Sequence, residues 1–280
     1  MDLADLLKPG RLTEVVDVGA NPIDGIPPYR ALLDAGLCRV TGFEPQANAL
    51  GRLRAAEGKN ERYLSDILGD GRRHRLRICK APGMASLFKP DVTRLALFPE
   101  LLDGAEVLEE QPEVESVRLD DIKTITAMDF LKIDAQGSEC MVFQNAVQRL
   151  SEAVFIQTEV SFITIYEDQP TIADVDSELR RQGFMPHRFA AIKCWPIWPT
   201  LRVDTKHGGD VTQILEADMV YIRDITKPEL ISDEQLKHMA LVAHYCYRSV
   251  DLVSFCLTHL ARRGVVSVSL CERYQETMFR

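Results

Sequence analysis

The sequence predicts an α/β fold: a parallel sheet covered by helices on both faces, followed by a helical tail. Two observations predict it. Over residues 1–224, short apolar runs alternate with helical patterns, as parallel strands joined by crossover helices do. Past Asp224 the alternation stops, and apolar residues recur at Leu236, Met239, Ala240, Ala243, Cys246, Val250, Val253 and Leu257, the spacing of amphipathic helices. The chain thus divides into an α/β domain over 1–224 and a helical extension over 225–280.

Each element has a local reason. Glu14–Val18 reads as a short buried strand that ends in the turn Gly19-Ala20-Asn21-Pro22. Pro27 and Pro28 suit the first turn of a helix that runs through Tyr29, Leu32 and Leu33 and stops near Gly36. Cys38–Phe43 is a second strand, 46–57 a second helix, and Arg62–Ser65 a third strand ending at Asp66. After the polar turn Gly69-Asp70-Gly71, Leu76–Lys80 is a further extended segment. Residues 81–116, with Pro82, Gly83, Pro90, Pro99 and Pro112, read as an insertion rather than a regular layer.

Asp129–Asp134 restores the pattern as a strand, followed by the turn Ala135-Gln136-Gly137 and a helix over Glu139–Leu150. Ala153–Val160 is the next strand. A capped helix begins near Thr171 and stops at Gly183. Phe184–Phe189 and Met219–Arg223 supply two last strands, suited to an antiparallel edge pair. In the tail, Ser232-Asp233-Glu234-Gln235 fits a capping box and opens two or three helices, which can pack on the sheet or join two subunits.

Composition excludes several functions. Of 280 residues, 33 are Lys or Arg and 42 Asp or Glu, a formal charge of -9 with no long basic run, which disfavours a nucleic-acid partner. No apolar stretch approaches the roughly 20 residues that cross a bilayer. The first residues carry acids and no apolar signal core, so a cytoplasmic protein is expected. Seven cysteines without a C-x-x-C pair read as reduced, mostly buried thiols, and six scattered histidines offer no metal motif.

The chemistry concentrates at strand ends. Gly19 directly follows the first buried strand, where open α/β sheets bind ligands, and Glu44 closes the second strand, where an acid accepts bonds from ribose hydroxyls. Neither G-x-G-x-x-G nor a P-loop is present, and Asp17 at this turn would repel pyrophosphate. The positively charged sulfonium of S-adenosyl-L-methionine suits an acidic, single-glycine turn better. On the later strand, Phe130, Lys132 and Asp134 share a face by the two-residue period. Lys132 there is costly unless paired; it is expected either to ion-pair a core carboxylate or to position substrate. Asp134, Glu139 and Glu159 are expected to converge, as base and orienters or as oxygen ligands of Mg²⁺; Glu139 has the simpler reading of a first-turn acid on its helix dipole. Residues 188–213, with Arg188, Lys193, Trp195, Trp198, Arg202, Lys206 and His207, read as an acceptor-side loop suited to a sugar or an anion.

These pieces resemble the FkbM-type S-adenosylmethionine-dependent methyltransferases. The matching stretches are VVDVGAN (15–21), GFEP (42–45), LGDG (68–71), MASL (84–87), VRLDD (117–121), DFLKIDAQGSE (129–139), QTEVSFITIYEDQ (157–169) and EADMVYIRD (216–224), of which DFLKIDAQGSE is the most specific. The resemblance implies a Rossmann-like class I methyltransferase sheet of seven strands, mostly parallel with the last antiparallel. It implies that Asp17, Gly19, Ala20 and Asn21 line the methionine and ribose of the cofactor. Glu44 and Pro45 would then meet the ribose, and Asp66 and Ile67 the adenine. It implies O-methylation of a hydroxyl on a small molecule or glycan, by attack of the acceptor oxygen on the methyl group; from their place on the later strands, Asp134, Glu159 and Lys132 are the catalytic candidates. One departure stands out: Ile23 occupies the position of a usual glycine, as if the loop were lengthened before Gly25. Two alternatives stay open, a nicotinamide-dependent oxidoreductase and a non-catalytic methyltransferase fold used as a binding module. The tail helices also leave a homo-oligomer open.

Overall fold

The computed structural model describes residues 3–23, 25–199 and 211–278. Its strands are β1 (Thr13–Val18), β2 (Cys38–Phe43), β3 (Glu61–Leu64), β4 (Ile67–Leu68), β5 (Arg73–Cys79), β6 (Val107–Val117), β7 (Phe130–Ile133), β8 (Phe155–Ser161), β9 (Phe184–Cys194) and β10 (Ile214–Arg223). Seven of them form one sheet in the order β3-β2-β1-β7-β8-β10-β9. The first five of that order are parallel, and β10 runs antiparallel to both β8 and β9. The order reverses at β1, whose neighbours β2 and β7 lead away in opposite directions, so a crevice opens beyond the carboxyl ends of β1 and β7.

Parallel strands covered on both faces are apolar nearly throughout, and β1, β7 and β8 obey this. One face, carrying Val15, Phe130, Phe155 and Val220, packs under α1 (Leu3–Leu7), α2 (Arg30–Asp34), and two helices of the tail, α9 (Asp233–Tyr245) and α10 (Val250–Arg262). The other, carrying Val16, Leu131, Ile133 and Ile156, packs on α6 (Glu139–Gln144), α7 (Val147–Glu152) and α8 (Ile172–Arg181). Of the two arrangements open to the tail, it takes packing on the sheet: Leu236, Met239, Val253 and Leu257 are fully buried there. The capping box at Ser232 forms, and α11 (Val268–Met278) follows. α3 (Ala47–Ala55) sets Leu50 against Ala20 and Tyr63.

Three expectations need correction. The segment 81–116 is not free of regular structure: besides α4 (Val92–Leu95) and α5 (Pro99–Gly104) it holds nearly all of β6, which pairs with β5 and β4 in a second, three-stranded sheet. β6 is exposed on both faces along most of its length, so its Glu-rich sequence lacks the apolar alternation that marks a strand. The helix expected over Glu139–Leu150 is two, α6 and α7. Apolar spacing runs unbroken through Phe143, Ala146 and Leu150, yet Asp120 accepts the backbone N–H of Gln148 (3.0 Å) and Arg149 (2.9 Å) and starts a new helix. Finally, β9 continues to Cys194, so Arg188 and Lys193 lie on a strand rather than a loop; Arg202, Lys206 and His207 lie outside the described residues. Among the described residues no helix is long and apolar enough to cross a membrane, and the six described cysteine side chains are free thiols.

Candidate active site

Strand register builds the site in two rows. Asp17 on β1 pairs with Lys132 on β7, which pairs with Gln157 on β8. Two residues further along, on the same face, come Asp134 and Glu159. Above these rows lies a cavity of about 410 Å³. Its walls include the turn Gly19–Ile23, Glu44, Asp66, Lys132, Asp134 and Glu159, so the structure gathers at one cavity every residue the sequence assigned to cofactor or catalysis except Glu139.

Asp17 is only 2% exposed. The Tyr29 hydroxyl donates to its Oδ2 (2.6 Å), and the Lys132 ammonium sits 3.3 Å from Oδ1. Lys132 Nζ also donates to the Gly19 carbonyl (3.1 Å), tying the turn to β7. Burial pulls Lys132 down, but Asp17 and Asp134 outweigh it and hold its pKa above the ordinary value. Burial also pushes Asp17 up, offset in part by Lys132 and Tyr29. Of the two readings for Lys132, the ion pair with a core carboxylate is the one present.

At one end of the cavity, Gly19 has φ +73, and its N–H and that of Ala20 both meet the Phe43 carbonyl (3.0 and 3.1 Å). Glu44 is 3% exposed and accepts the Gln46 N–H at 2.8 Å; burial raises its pKa, and backbone bonds from Gln46 and Asn21 counter this. Pro45, Asp66, Ile67 and Leu68 continue the wall. Ile23, in place of the usual glycine, is half exposed and lines the mouth with Ile26; Asp24 lies outside the described residues.

Carboxylates crowd the other end. Asp134 Oδ1 accepts from Gln136 Nε2 (2.7 Å), whose residue holds φ +49 in the turn after β7. Tyr166 donates to Gln136 Oε1 (3.0 Å), and Ser86 to the Gln136 carbonyl (2.6 Å), so the 81–116 segment braces this turn. Lys193 Nζ lies 3.0 Å from Glu159 Oε2 and 4.0 Å from Asp218. Glu159, 7% exposed, is pushed well above the usual carboxylate range by burial, then by Asp134 and Glu216, with Lys193 opposing. Trp195 lines the cavity. Arg188 does not; it donates to the Tyr247 carbonyl (3.1 Å), and Trp198 is exposed with its backbone N–H on the Leu97 carbonyl. The sequence offered Lys193 to a sugar or an anionic acceptor, and the lysine faces carboxylates. It gave no warning of Tyr29, Gln157, Glu216 or Asp218; the two-residue period backwards from Glu159 would have found Gln157.

Glu139 departs from the expected triad. Its Oε1 turns back to accept the N–H groups of Ala135 (2.7 Å) and Gly137 (3.3 Å) at the start of α6, and it is not part of the cavity wall. The modest reading, an acid serving its helix's first turn, is the one realised. Among the described residues no group of three His, Cys, Asp or Glu is placed to hold a metal, so the Mg²⁺ expectation finds no ligand set. Burial and Asp134 push Glu139 from 4.5 up to about 7. A raised folded pKa means stability is complete below the unfolded value and is lost as pH rises through the folded one, here between about 4.5 and 7. Glu139→Gln keeps the acceptor oxygen and removes the charge. Its Tm relative to the parent is therefore expected to climb between pH 5 and pH 7.5, by the equivalent of up to about 3 kcal/mol; parallel melting curves at the two pH values check this, and a constant difference would contradict it.

The sheet order, with its antiparallel β10, and the acid-closed crevice define a class I, Rossmann-like methyltransferase fold. The sequence model of the methyltransferase FkbM domain matches residues 17–186, more than half of the chain, and the chain belongs to that family of S-adenosylmethionine-dependent methyltransferases. No curated protein matches the sequence. Among solved structures the chain is similar to a magnesium protoporphyrin IX methyltransferase from Synechocystis PCC 6803 with bound SAM (12% identity, 79% of this chain and 76% of that one, TM-score 0.37). It is similar also to a precorrin-6y C5,15-methyltransferase from Geobacter metallireducens GS-15 (11% identity, 76% and 80%, TM-score 0.36).

Proposed function

We propose that this chain transfers the methyl group of S-adenosylmethionine to a hydroxyl oxygen of an uncharged small molecule or glycan. The observation that carries the reading is the continuity of the cavity, from the glycine turn and Glu44 at one end to Glu159 at the other. The lining fits the cofactor. Glu44 and Asp66 offer acceptors for the adenosine hydroxyls and amine, and Phe43, Ile67 and Leu68 offer an apolar wall for a flat base. The described lining holds no arginine, and both its lysines face carboxylates, so a pyrophosphate would find no cation. That disfavours a nicotinamide dinucleotide, and it disfavours an anionic acceptor equally.

The bound cofactor supplies an activated methyl group; the chain supplies orientation and a proton acceptor. Glu159 suits the second task. Lys193 holds its Oε2, while Oε1 has no hydrogen-bond partner among the described residues. Burial, Asp134 and Glu216 raise its basicity above that of an ordinary carboxylate, and Lys193 limits the rise. Asp134, one strand over, orients the hydroxyl, and Lys132 keeps Asp17 and the glycine turn in place.

S-Adenosylhomocysteine at about 100 times its Kd is expected to stabilise the protein by about 2.7 kcal/mol, a Tm rise of several degrees. NADH should give none. A flat response to saturating S-adenosylhomocysteine would remove the reading.

A further inference from the structure

We propose that the Gln157 side-chain NH₂ donates to an oxygen of the methyl acceptor, and that Tyr247 of the C-terminal extension is the residue that aims it. The assignment rests on the methyl-transfer reading above and adds to it a residue from outside the matched family region.

Gln157 is 8% exposed, on the sheet face otherwise packed with Phe130 and Phe155, and it lines the cavity between Lys132 and Glu159. A buried amide there is costly unless both its ends find partners. One end has one: the Tyr247 hydroxyl lies 2.8 Å from Gln157 Oε1. That hydroxyl is buried, and among the described residues Gln157 is its only hydrogen-bond partner. A phenol has a single hydrogen to give, and here only the amide oxygen can take it, which fixes the orientation of the amide. Burial pushes the phenol's pKa well above its ordinary value, so the hydrogen stays in place.

The ring holding that hydroxyl is locked. It stacks on Phe155 (centroids 5.4 Å apart, planes at 10°), meets Phe130 edge-on at 6.0 Å, and has its backbone carbonyl held by Arg188. With Oε1 occupied, the NH₂ has no partner among the described residues, although it belongs to a side chain more than nine-tenths buried at the cavity floor. Two residues further along the same strand face is Glu159, an acceptor. A donor and an acceptor side by side match an acceptor molecule that presents both oxygen lone pairs and a hydroxyl hydrogen, as a polyol does.

The test uses the full chain saturated with S-adenosylhomocysteine and labelled with ¹⁵N, glycerol and methyl α-D-glucopyranoside serving as uncharged hydroxylated probes. The Gln157 NH₂ resonances are assigned by their absence in Gln157→Leu. They are expected to shift saturably with at least one probe. Tyr247→Phe keeps the ring and loses only the hydroxyl; it should broaden or split the NH₂ pair and weaken probe binding by about threefold to tenfold, the effect of one lost hydrogen bond. S-Adenosylhomocysteine affinity should stay within about twofold, since the change is remote from that end of the cavity. Gln157→Leu, which can neither donate nor accept, should weaken probe binding about threefold to tenfold by titration calorimetry, a readout that stands even if Tyr247→Phe folds poorly. An NH₂ pair that ignores both probes while S-adenosylhomocysteine is bound, or that is unchanged in a folded Tyr247→Phe, overturns the assignment. Failure of the parent to bind S-adenosylhomocysteine would instead bring down the methyl-transfer reading, and this one with it.

Discussion

Gly19→Ala is expected to cost about 2–5 kcal/mol and to lower S-adenosylhomocysteine affinity more than about tenfold. Two separate effects add. At φ +73 the residue occupies the left-handed region, which costs an L side chain roughly 1–2 kcal/mol. A Cβ there would also lie 2.2 Å from the Asp134 carbonyl oxygen, a backbone atom of β7's end that cannot rotate away. The Asp134 N–H is bonded to the Val18 carbonyl (3.0 Å), so relieving the overlap means prying β1 from β7 where the cavity opens. Gly36→Ala is the control. It has nearly the same φ, +71, at the end of α2, with nothing within 4 Å of the added carbon. Only the conformational part, about 1–2 kcal/mol, should appear there, with cofactor affinity unchanged. Melting curves and titration calorimetry on both variants separate the terms. Equal losses would show that close approach of the two strand ends is not what demands glycine at position 19.

Much of this site was legible in the sequence because strand ends announce themselves. A buried apolar run followed by Gly19, another closed by Glu44, and a third ending in Asp134 place three side chains at one edge of a parallel sheet before any coordinates exist. The same reading failed wherever the signal depended on what lay across the fold. Glu139 kept two readings, cluster carboxylate or first-turn acid, because its position in sequence says nothing of the Ala135 and Gly137 N–H groups that decide for the second. β6 went unseen because a strand wet on both faces has no alternation to display. Tyr29 and Tyr247 carry hydroxyls into the site from the residue just before α2 and from the turn between α9 and α10, and the one polar atom on each ring is what a pattern of apolar residues cannot weigh. Lys193 reads from the sequence as part of a loop for a sugar or an anion; the antiparallel register of β9, β10 and β8 instead sets it among Glu216, Asp218 and Glu159.

Lys132→Met is the other substitution expected to act strongly. It leaves Asp17 buried with Tyr29 as its sole remaining hydrogen-bonding side chain among the described residues and frees the Gly19 carbonyl from its donor. Removing one partner of a buried pair costs about 3–5 kcal/mol because the other charge stays behind. Here the lysine is 19% exposed to the cavity, so solvent replaces part of the loss, and a drop of about 2–4 kcal/mol is expected. The drop has a definite pH signature. Without the ammonium, Asp17's folded pKa rises further above its unfolded value, so the gap to the parent should be small near pH 4 and widen as pH rises. Asp17→Asn in the same chain removes the stranded charge, and the double variant should therefore be more stable at neutral pH than Lys132→Met alone, a non-additivity of 1 kcal/mol or more by order of magnitude. Denaturant titrations of the four proteins at two pH values measure all of this. Strict additivity, or a gap that narrows with pH, would mean that the contact between β1 and β7 is not a working ion pair, and Lys132 would then have to be read through its bond to the Gly19 carbonyl alone.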